Sequence, residues 1–342
     1  MHRNHRNWLN FGNINGSEIL KHIFVLGLLI WLIPYRMLAQ ELFPLSEPAS
    51  TMPKNTLGVR LFSENYKEID KVRTMDYIRL MYGVTPRLSV YVTGIASNHH
   101  GEKFPLEFPF HNTPERGAKY PFKFNGVHLY SKYRFLSKDG ENSHLRVAAY
   151  AEGSWVKTTH HETEPDLEHG DNSGVGAGFI TTYLKNKFAV SATVGGIIPF
   201  QNSGVEPDVY DGLPDIPLRI SYGKALTYTL SFGYRLLPIV YSDYKQTNVN
   251  LYMEFHGEAY QQSKVILFNG QPQEYELDPV RFPPALQAGY YIDMSPGVQF
   301  IINSNLRIDC ATTFHLTGQT FARLYPVYSI GIQRYFYFGK KK

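Results

Sequence analysis

Residues 224 to 237 read KALTYTLSFGYRLL, and two alternating sets of side chains run through them. One set is Leu226, Tyr228, Leu230, Phe232, Tyr234 and Leu236; the other is Ala225, Thr227, Thr229, Ser231, Gly233 and Arg235. Successive side chains on a strand point to opposite faces, so the stretch has one continuous apolar face and one small, polar face. A half-buried strand of a soluble sheet would alternate in the same way. The apolar face here runs unbroken for the ~9–11 residues that a tilted strand needs to cross a bilayer, with tyrosine at its edge. This favours a membrane strand.

The same pattern recurs along the chain. Leu57, Val59 and Leu61 form a first strand, and SENYKEIDKVR, residues 63 to 73, reads as a charged connection. Ile78, Leu80, Tyr82 and Val84 turn through Thr85-Pro86-Arg87 into Leu88, Val90 and Val92 as a tight hairpin. Strands follow around 127–135, 145–155, 175–183, 188–198, 226–236, 249–255, 286–302, 306–316 and 328–338. That makes about twelve, an even number as single-chain outer-membrane barrels require. Short connections near 85, 137, 186 and 303 alternate with long ones that begin near 97, 158, 201 and 261. A soluble sandwich has no reason to sort loop length by end, whereas barrels have short periplasmic turns and long extracellular loops. The connection 238 to 247 is longer than this rule requires. The expected fold is all-β: a single antiparallel transmembrane barrel over residues 56–338.

Composition agrees with that reading. The 342 residues are 43% hydrophobic and 19% charged, which sets aside a disordered chain. Tyr 25 and Phe 22 stand far above Trp 3, an enrichment that suits aromatic girdles at the two membrane interfaces. The one long apolar run, IFVLGLLIWLIP from Ile23 to Pro34, sits behind Arg3, Arg6 and Lys21. It is too short to cross ~30 Å of hydrocarbon as a helix, and its length behind basic residues fits a secretory signal. Residues 1–40 are therefore expected to be removed near Ala39 or Gln40. Without them the charge falls from +4 to about +1, so no basic patch argues for nucleic acid. Residues 41–55, ELFPLSEPASTMPKN, contain three prolines and no period, and read as a flexible periplasmic lead-in; 339–342 read as a basic tail. The single cysteine, Cys310, forms no internal disulfide, and without a second cysteine there is no CxxC pair. A closed barrel satisfies every backbone group by strand pairing without such staples.

Parity assigns an ionisable set to the lumen: Arg60, Arg79, His128, Lys132, Arg134, Arg146, Glu152, Arg235, Glu254, His256, Glu258, Asp293, Arg307, Asp309 and His315. On the lipid side Arg or Lys at the midplane would cost roughly 2–4 kcal/mol. These groups either orient permeating solutes at a charged constriction or fill a narrow barrel as paired ions. Tyr130, Tyr150, Tyr252 and Tyr291 share their parity, so the lumen is both charged and aromatic. Arg334 falls on the outward parity and must snorkel to the interface, or a bulge shifts the register.

Two long connections carry histidines: His99, His100 and His111 in one, and His160, His161 and His169 beside Glu162, Glu164, Asp166, Glu168 and Asp171 in the other. Imidazole with carboxylates suits Zn, Cu or Ni, and His99, His100, His160, His161 and His169 are the metal candidates. Exposed loops are polar in any case, and no fixed spacing holds these groups in a coordination geometry. Outer-membrane phospholipases also have about twelve strands. The nearest counterpart here to their His-x-Ser-Asn-Gly pattern, His315-Leu316-Thr317-Gly318, lacks the serine and asparagine, so no activated nucleophile stands beside a base. No catalytic residue and no cofactor is expected.

The C-terminal run from Leu286 to Ile302, centred on Met294-Ser295-Pro296-Gly297-Val298-Gln299-Phe300, is followed by a short turn and a final YSIGIQRYFYF strand. In these roughly fifty residues the chain resembles outer-membrane barrels grouped as transporters of the MetA pathway of phenol degradation. The leader ending in Leu38-Ala39-Gln40 resembles signal peptides of Bacteroidetes. The resemblance implies a Gram-negative outer-membrane, porin-like barrel that passes small, often apolar solutes. Its partners would be outer-membrane lipid, the solute and the outer-membrane assembly machinery. Such barrels usually stop on an aromatic residue, whereas GKKK follows Phe338 here. The function expected is a channel or transporter for small solutes, apolar ones among them. The alternative is a closed barrel whose surface loops capture metal or a partner.

Overall fold

The segregation of side chains along residues 225–237 governs the whole architecture, because every neighbouring strand repeats it. The computed structural model describes residues 43–68, 71–98, 122–157, 164–206, 216–240, 245–275, 286–320 and 324–338. The leader 1–40 and the tail 339–342 lie outside them. Among the described residues, sixteen strands run in chain order: β1 (Thr56–Glu68), β2 (Lys71–Gly83), β3 (Leu88–Ser97), β4 (Lys123–Asp139), β5 (Ser143–Val156), β6 (Gly174–Lys185), β7 (Phe188–Pro199), β8 (Asn202–Glu206), β9 (Ile216–Ser221), β10 (Ala225–Leu237), β11 (Asn248–Tyr260), β12 (Lys264–Asn269), β13 (Gln271–Tyr275), β14 (Gly289–Ile302), β15 (Leu306–Gly318) and β16 (Val327–Tyr337).

Twelve of these close an antiparallel barrel, and β1 pairs with β16 from Thr56↔Tyr337 to Asn65↔Tyr328. Closure leaves no unpaired edge, which is the condition for backbone to cross hydrocarbon as a sheet. On β10, Leu226, Leu230, Tyr234 and Leu236 are 41–51% exposed on the outside, while Ser231 is fully buried and Ala225 nearly so. Ile78 and Leu80 of β2, Phe179 and Tyr183 of β6, and Ile330 and Ile332 of β16 extend the same apolar outer surface around the barrel. An apolar band outside a closed sheet is the surface a bilayer solvates.

A register shift is not what accommodates Arg334. The pairings of β16 show no register shift, and Arg334 sits between Val59 and Leu306 near the end where the chain enters and leaves the barrel. It is only 9% exposed, with its guanidinium 5.7 Å from the Phe336 ring centroid.

Four connections at that end are tight, and only 238–247, between β10 and β11, is long. Asn186 at φ 53° turns β6 into β7, and Asn303 and Ser304, both in the left-handed region, turn β14 into β15 while the Asn305 N–H donates to Ile302 O at 3.1 Å. Positive φ at both central residues is the turn whose twist matches that of the strands it joins.

Two expectations about the connections need correction. Residues 63–68 and 71–73, read as part of a charged connection, are strand, with Glu64, Tyr66 and Arg73 buried on the inner face. The charges there alternate, so polarity concealed a period of two. The long connections after 199 and 260 contain strands of their own, which form a four-stranded sheet in the order β13-β12-β9-β8. Its β8–β9 and β9–β12 pairs keep the register of β7–β10 and β10–β11: Ala225↔Ile197 continues as Ile220↔Asn202, and Ala225↔Tyr260 as Ser221↔Lys264. The barrel wall thus runs on past the membrane band at this end. At the break between the two levels, the Gly223 α-carbon lies so close to the Gln261 carbonyl that any side chain would collide with it.

The third correction concerns residues 43–55. Expected as a flexible periplasmic lead-in, they lie inside the barrel, with Phe43, Ala49 and Met52 almost completely buried. Ala49 packs with Ala148, Tyr150 and Ile180, and Met52 with Met81, Tyr91 and Tyr335.

Candidate functional site

Inward parity on β2, β4, β5, β11 and β14 points long polar side chains at one another across a lumen of limited width, and chain from both ends fills part of the gap. The N-terminal segment is held from one side by charged groups on the wall. Glu254, fully buried, accepts the Leu45 N–H at 3.0 Å and the Ser46 N–H at 2.8 Å. Ser46 Oγ lies 2.7 Å from Ser231 Oγ, and the Ala49 N–H donates to Thr182 Oγ1 at 2.8 Å. Carbonyls of the segment are used as well: Arg60 donates to Pro44 O, Lys132 to Pro48 O at 2.6 Å, and Arg307 to Phe43 O at 3.2 Å. The segment has three prolines and forms no strand, so its backbone groups must be satisfied by side chains. This is what the buried charges of the wall supply.

Residues 164–172 fold in as a second segment. Leu167 packs with Ile197, Ala225 and Tyr260, and His169 Nδ1 lies 2.5 Å from Asp166 Oδ2. Glu164 accepts the Thr320 hydroxyl.

Arg79 joins the two segments. Its Nη1 is 3.1 Å from Glu47 Oε1 on the N-terminal segment, its Nη2 is 2.9 Å from Glu168 Oε1 on the second, and its Nε donates to Thr93 Oγ1 on β3 at 3.0 Å. One planar guanidinium with five N–H donors can serve all three. Burial pushes the Glu47 carboxyl up, but Lys132 at 3.0 Å, Arg79 and Arg60 outweigh it and hold the group below the usual carboxylate value. Burial opposes ionisation of Glu168 too, and Arg79, His169 and His128 together bring it down to about 2. Nearly half of the Glu168 side-chain surface faces open space within the lumen.

That space is a chamber of about 230 Å³ between the two segments. Of the residues assigned to the lumen by parity, Arg60, Arg79, His128, Glu152, His256, Glu258 and Asp293 line it. His128 Nε2 is 3.0 Å from Glu152, and His315 Nδ1 is 2.9 Å from Asp293, which also accepts the Tyr325 hydroxyl. Lys132, Glu254, Arg307 and Asp309 lie below the chamber as anchors; Arg307 Nε is 2.7 Å from Asp309 Oδ2, and Arg60 is 3.7 Å from the same oxygen. Arg134, Arg146 and Arg235 are placed at the short-turn end instead: Arg134 donates to Pro86 O at 2.9 Å, Arg146 pairs with Asp139 at 2.6 Å, and Arg235 precedes the β10 bulge. Tyr91, Tyr130 and Tyr150 stack in a row along the inner wall, with centroids 5.5 and 5.2 Å apart, and Tyr130, Tyr150 and Tyr291 reach the chamber.

Sequence reasoning missed Glu47 and Arg79's use of it, and it took Glu168 for a surface-loop acid. Of the metal candidates, His99, His100, His160 and His161 lie outside the described residues. His169 faces inward between Asp166 and Glu64, and no group of three or more metal-ligating side chains converges among the described residues.

No protein-family model and no curated protein matches the chain. Among solved structures, an outer membrane channel from Pseudomonas putida F1 aligns at 10% identity over 86% of this chain and 100% of that one, with a TM-score of 0.48. The toluene transporter TbuX of Ralstonia pickettii aligns at 12% identity over 84% of this chain and 90% of that one (TM-score 0.35), and the toluene transporter TodX of Pseudomonas putida at 11% over 82% and 87% (TM-score 0.33). Likeness of this degree says nothing about what passes through the present chain.

Proposed function

We propose that this protein is a non-enzymatic channel of the outer membrane, through which small solutes cross by way of a charged and aromatic lumen. The observation that carries the proposal is the chamber itself: a space inside a closed barrel, lined by charged and aromatic side chains and bounded by two segments that are not part of the wall. Both segments are seated by side-chain contacts, so either can shift while the barrel's backbone ladder stays intact. A wall with an apolar outside and a wettable inside is a conduit across a bilayer. Selection would fall on solutes that satisfy carboxylates, a guanidinium and tyrosine rings in one small volume.

The test is conductance of the refolded full chain in planar bilayers, beside a variant lacking residues 43–52. Discrete current steps that grow on removal of the segment support a channel. A full chain and a truncated chain that both fold, insert and pass no current would overturn it.

A further inference from the structure

The acids around the chamber are not equally provided for. Carboxylates outnumber guanidiniums by seven to two among its lining residues. Most of these acids have a counterpart at hand. Glu47 and Glu168 share Arg79, Glu152 has His128, Asp166 has His169, Asp293 has His315, and Glu64 accepts the Tyr77 hydroxyl at 3.0 Å. Glu258 differs. It is 4% exposed, lines the chamber, and its Oε1 has no protein hydrogen-bond partner. Another carboxylate, Asp166, lines the same chamber. The cross-strand neighbours of Glu258 are Thr227 and Tyr291, neither of them a cation. His256, two residues earlier on the same inner face, likewise has an Nε2 that is buried without a partner.

A buried carboxylate beside other acids is costly, and the cost is relieved when a cation enters. Ionisable groups that face the interior of a membrane-spanning protein commonly mark a solute path. We propose that Glu258, with Asp166 beside it, is a cation subsite of the chamber that takes the ammonium group of a small organic amine. An ammonium brings three N–H donors and a full charge, and a loose arrangement of carboxylates can share these without closing into a coordination sphere. A bare metal ion would need converging ligands, which the described residues do not present here. The Tyr291 ring lines the same chamber and offers an aromatic surface to the rest of the solute. The inference rests on the channel reading and narrows it from small solutes in general to cationic ones.

Calorimetry on the refolded full chain in detergent tests it with phenethylammonium, with phenylpropionate as a probe of similar frame and opposite charge, and with Zn²⁺. The expected result is saturable binding of the amine alone, weakened about tenfold by Glu258→Gln and less by Asp166→Asn. Folding of each variant is checked by its heat-dependent gel mobility, and Asp166→Asn stands in should Glu258→Gln fail to fold. Equal or tighter binding of the carboxylate, displacement of the amine by Zn²⁺, or amine affinity unchanged in the variants would overturn the assignment. Binding needs no current, so a barrel that conducts without preferring the amine refutes the subsite and leaves the channel standing. One that binds the amine but never conducts does the reverse.

Discussion

Replacing Glu254 by alanine should loosen the N-terminal segment without unfolding the barrel. Its carboxylate accepts two backbone N–H groups, from Leu45 and Ser46, at 3.0 and 2.8 Å. Hydrogen bonds to a charged group contribute roughly 1.5–3 kcal/mol each, so their joint loss costs about 3–6 kcal/mol. The contacts of Arg60, Arg307 and Lys132 with the segment's carbonyls remain, and so does the Ala49 bond to Thr182. The segment therefore stays seated on average but leaves its seat more often. At about 1.4 kcal/mol per decade, even the lower figure raises the unseated population on the order of a hundredfold. Ser46→Cys reports this, in a background where Cys310, the one native cysteine, is serine. Labelling by a bulky, membrane-impermeant maleimide should accelerate on the order of a hundredfold in Glu254→Ala, because reaction through a rare open state follows that state's population. A rate within about twofold of the parent would refute the claim that Glu254 seats the segment.

Three further outcomes follow from the same geometry. Leu230→Arg places a charge on the lipid face and should destabilise the liposome-inserted barrel by roughly 2–4 kcal/mol in urea, while Thr229→Arg, one residue away and inward, should cost less than about 1 kcal/mol. The Glu168 carboxyl, held down to about 2 by Arg79, His169 and His128, contributes its full share of docking above its ordinary value of 4.5, and this declines as the pH falls below 4.5 and is gone once it has passed through about 2. Carbon-13 titration of labelled glutamate, with Glu168→Gln as the difference, should show that midpoint; one near 4.5 would mean the loop is not docked on Arg79. Arg79→Gln removes the link between the two segments and should raise single-channel conductance while returning the Glu168 midpoint toward 4.5; unchanged conductance would place the constriction elsewhere.

The barrel was legible because its rule is local. Leu226 to Leu236 carry the inside and outside of the wall in single-residue alternation, and the same holds for Ile78 to Tyr82 and Ile330 to Ile332. Where polarity masked that alternation, as in residues 63–73, the strands were missed. The chamber was half legible. Parity placed Arg79, His128, Glu152, His256, Glu258 and Asp293 on the inside, yet it could not say which would line open space and which would be consumed by a filling segment. That information lies in residues 43–55 and 164–172, which have no period. Proline at 44, 48 and 53 excludes helix and ladder without indicating a direction, and the direction comes from Glu254, Lys132 and Arg307, more than eighty residues away in sequence. Long-range pairing of this kind leaves no mark in a local pattern.

A spin-label scan of β10 in liposomes, one cysteine at a time from Ala225 to Leu237, puts the account to its most direct trial. Labels at 226, 228, 230, 232, 234 and 236 should respond to oxygen dissolved in lipid; those between them should not, and at Thr227 and Thr229, which line the chamber, they should respond to a water-soluble nickel complex. Accessibility that fails to alternate, or even-numbered positions shielded from lipid, would contradict a closed barrel with this face toward the membrane.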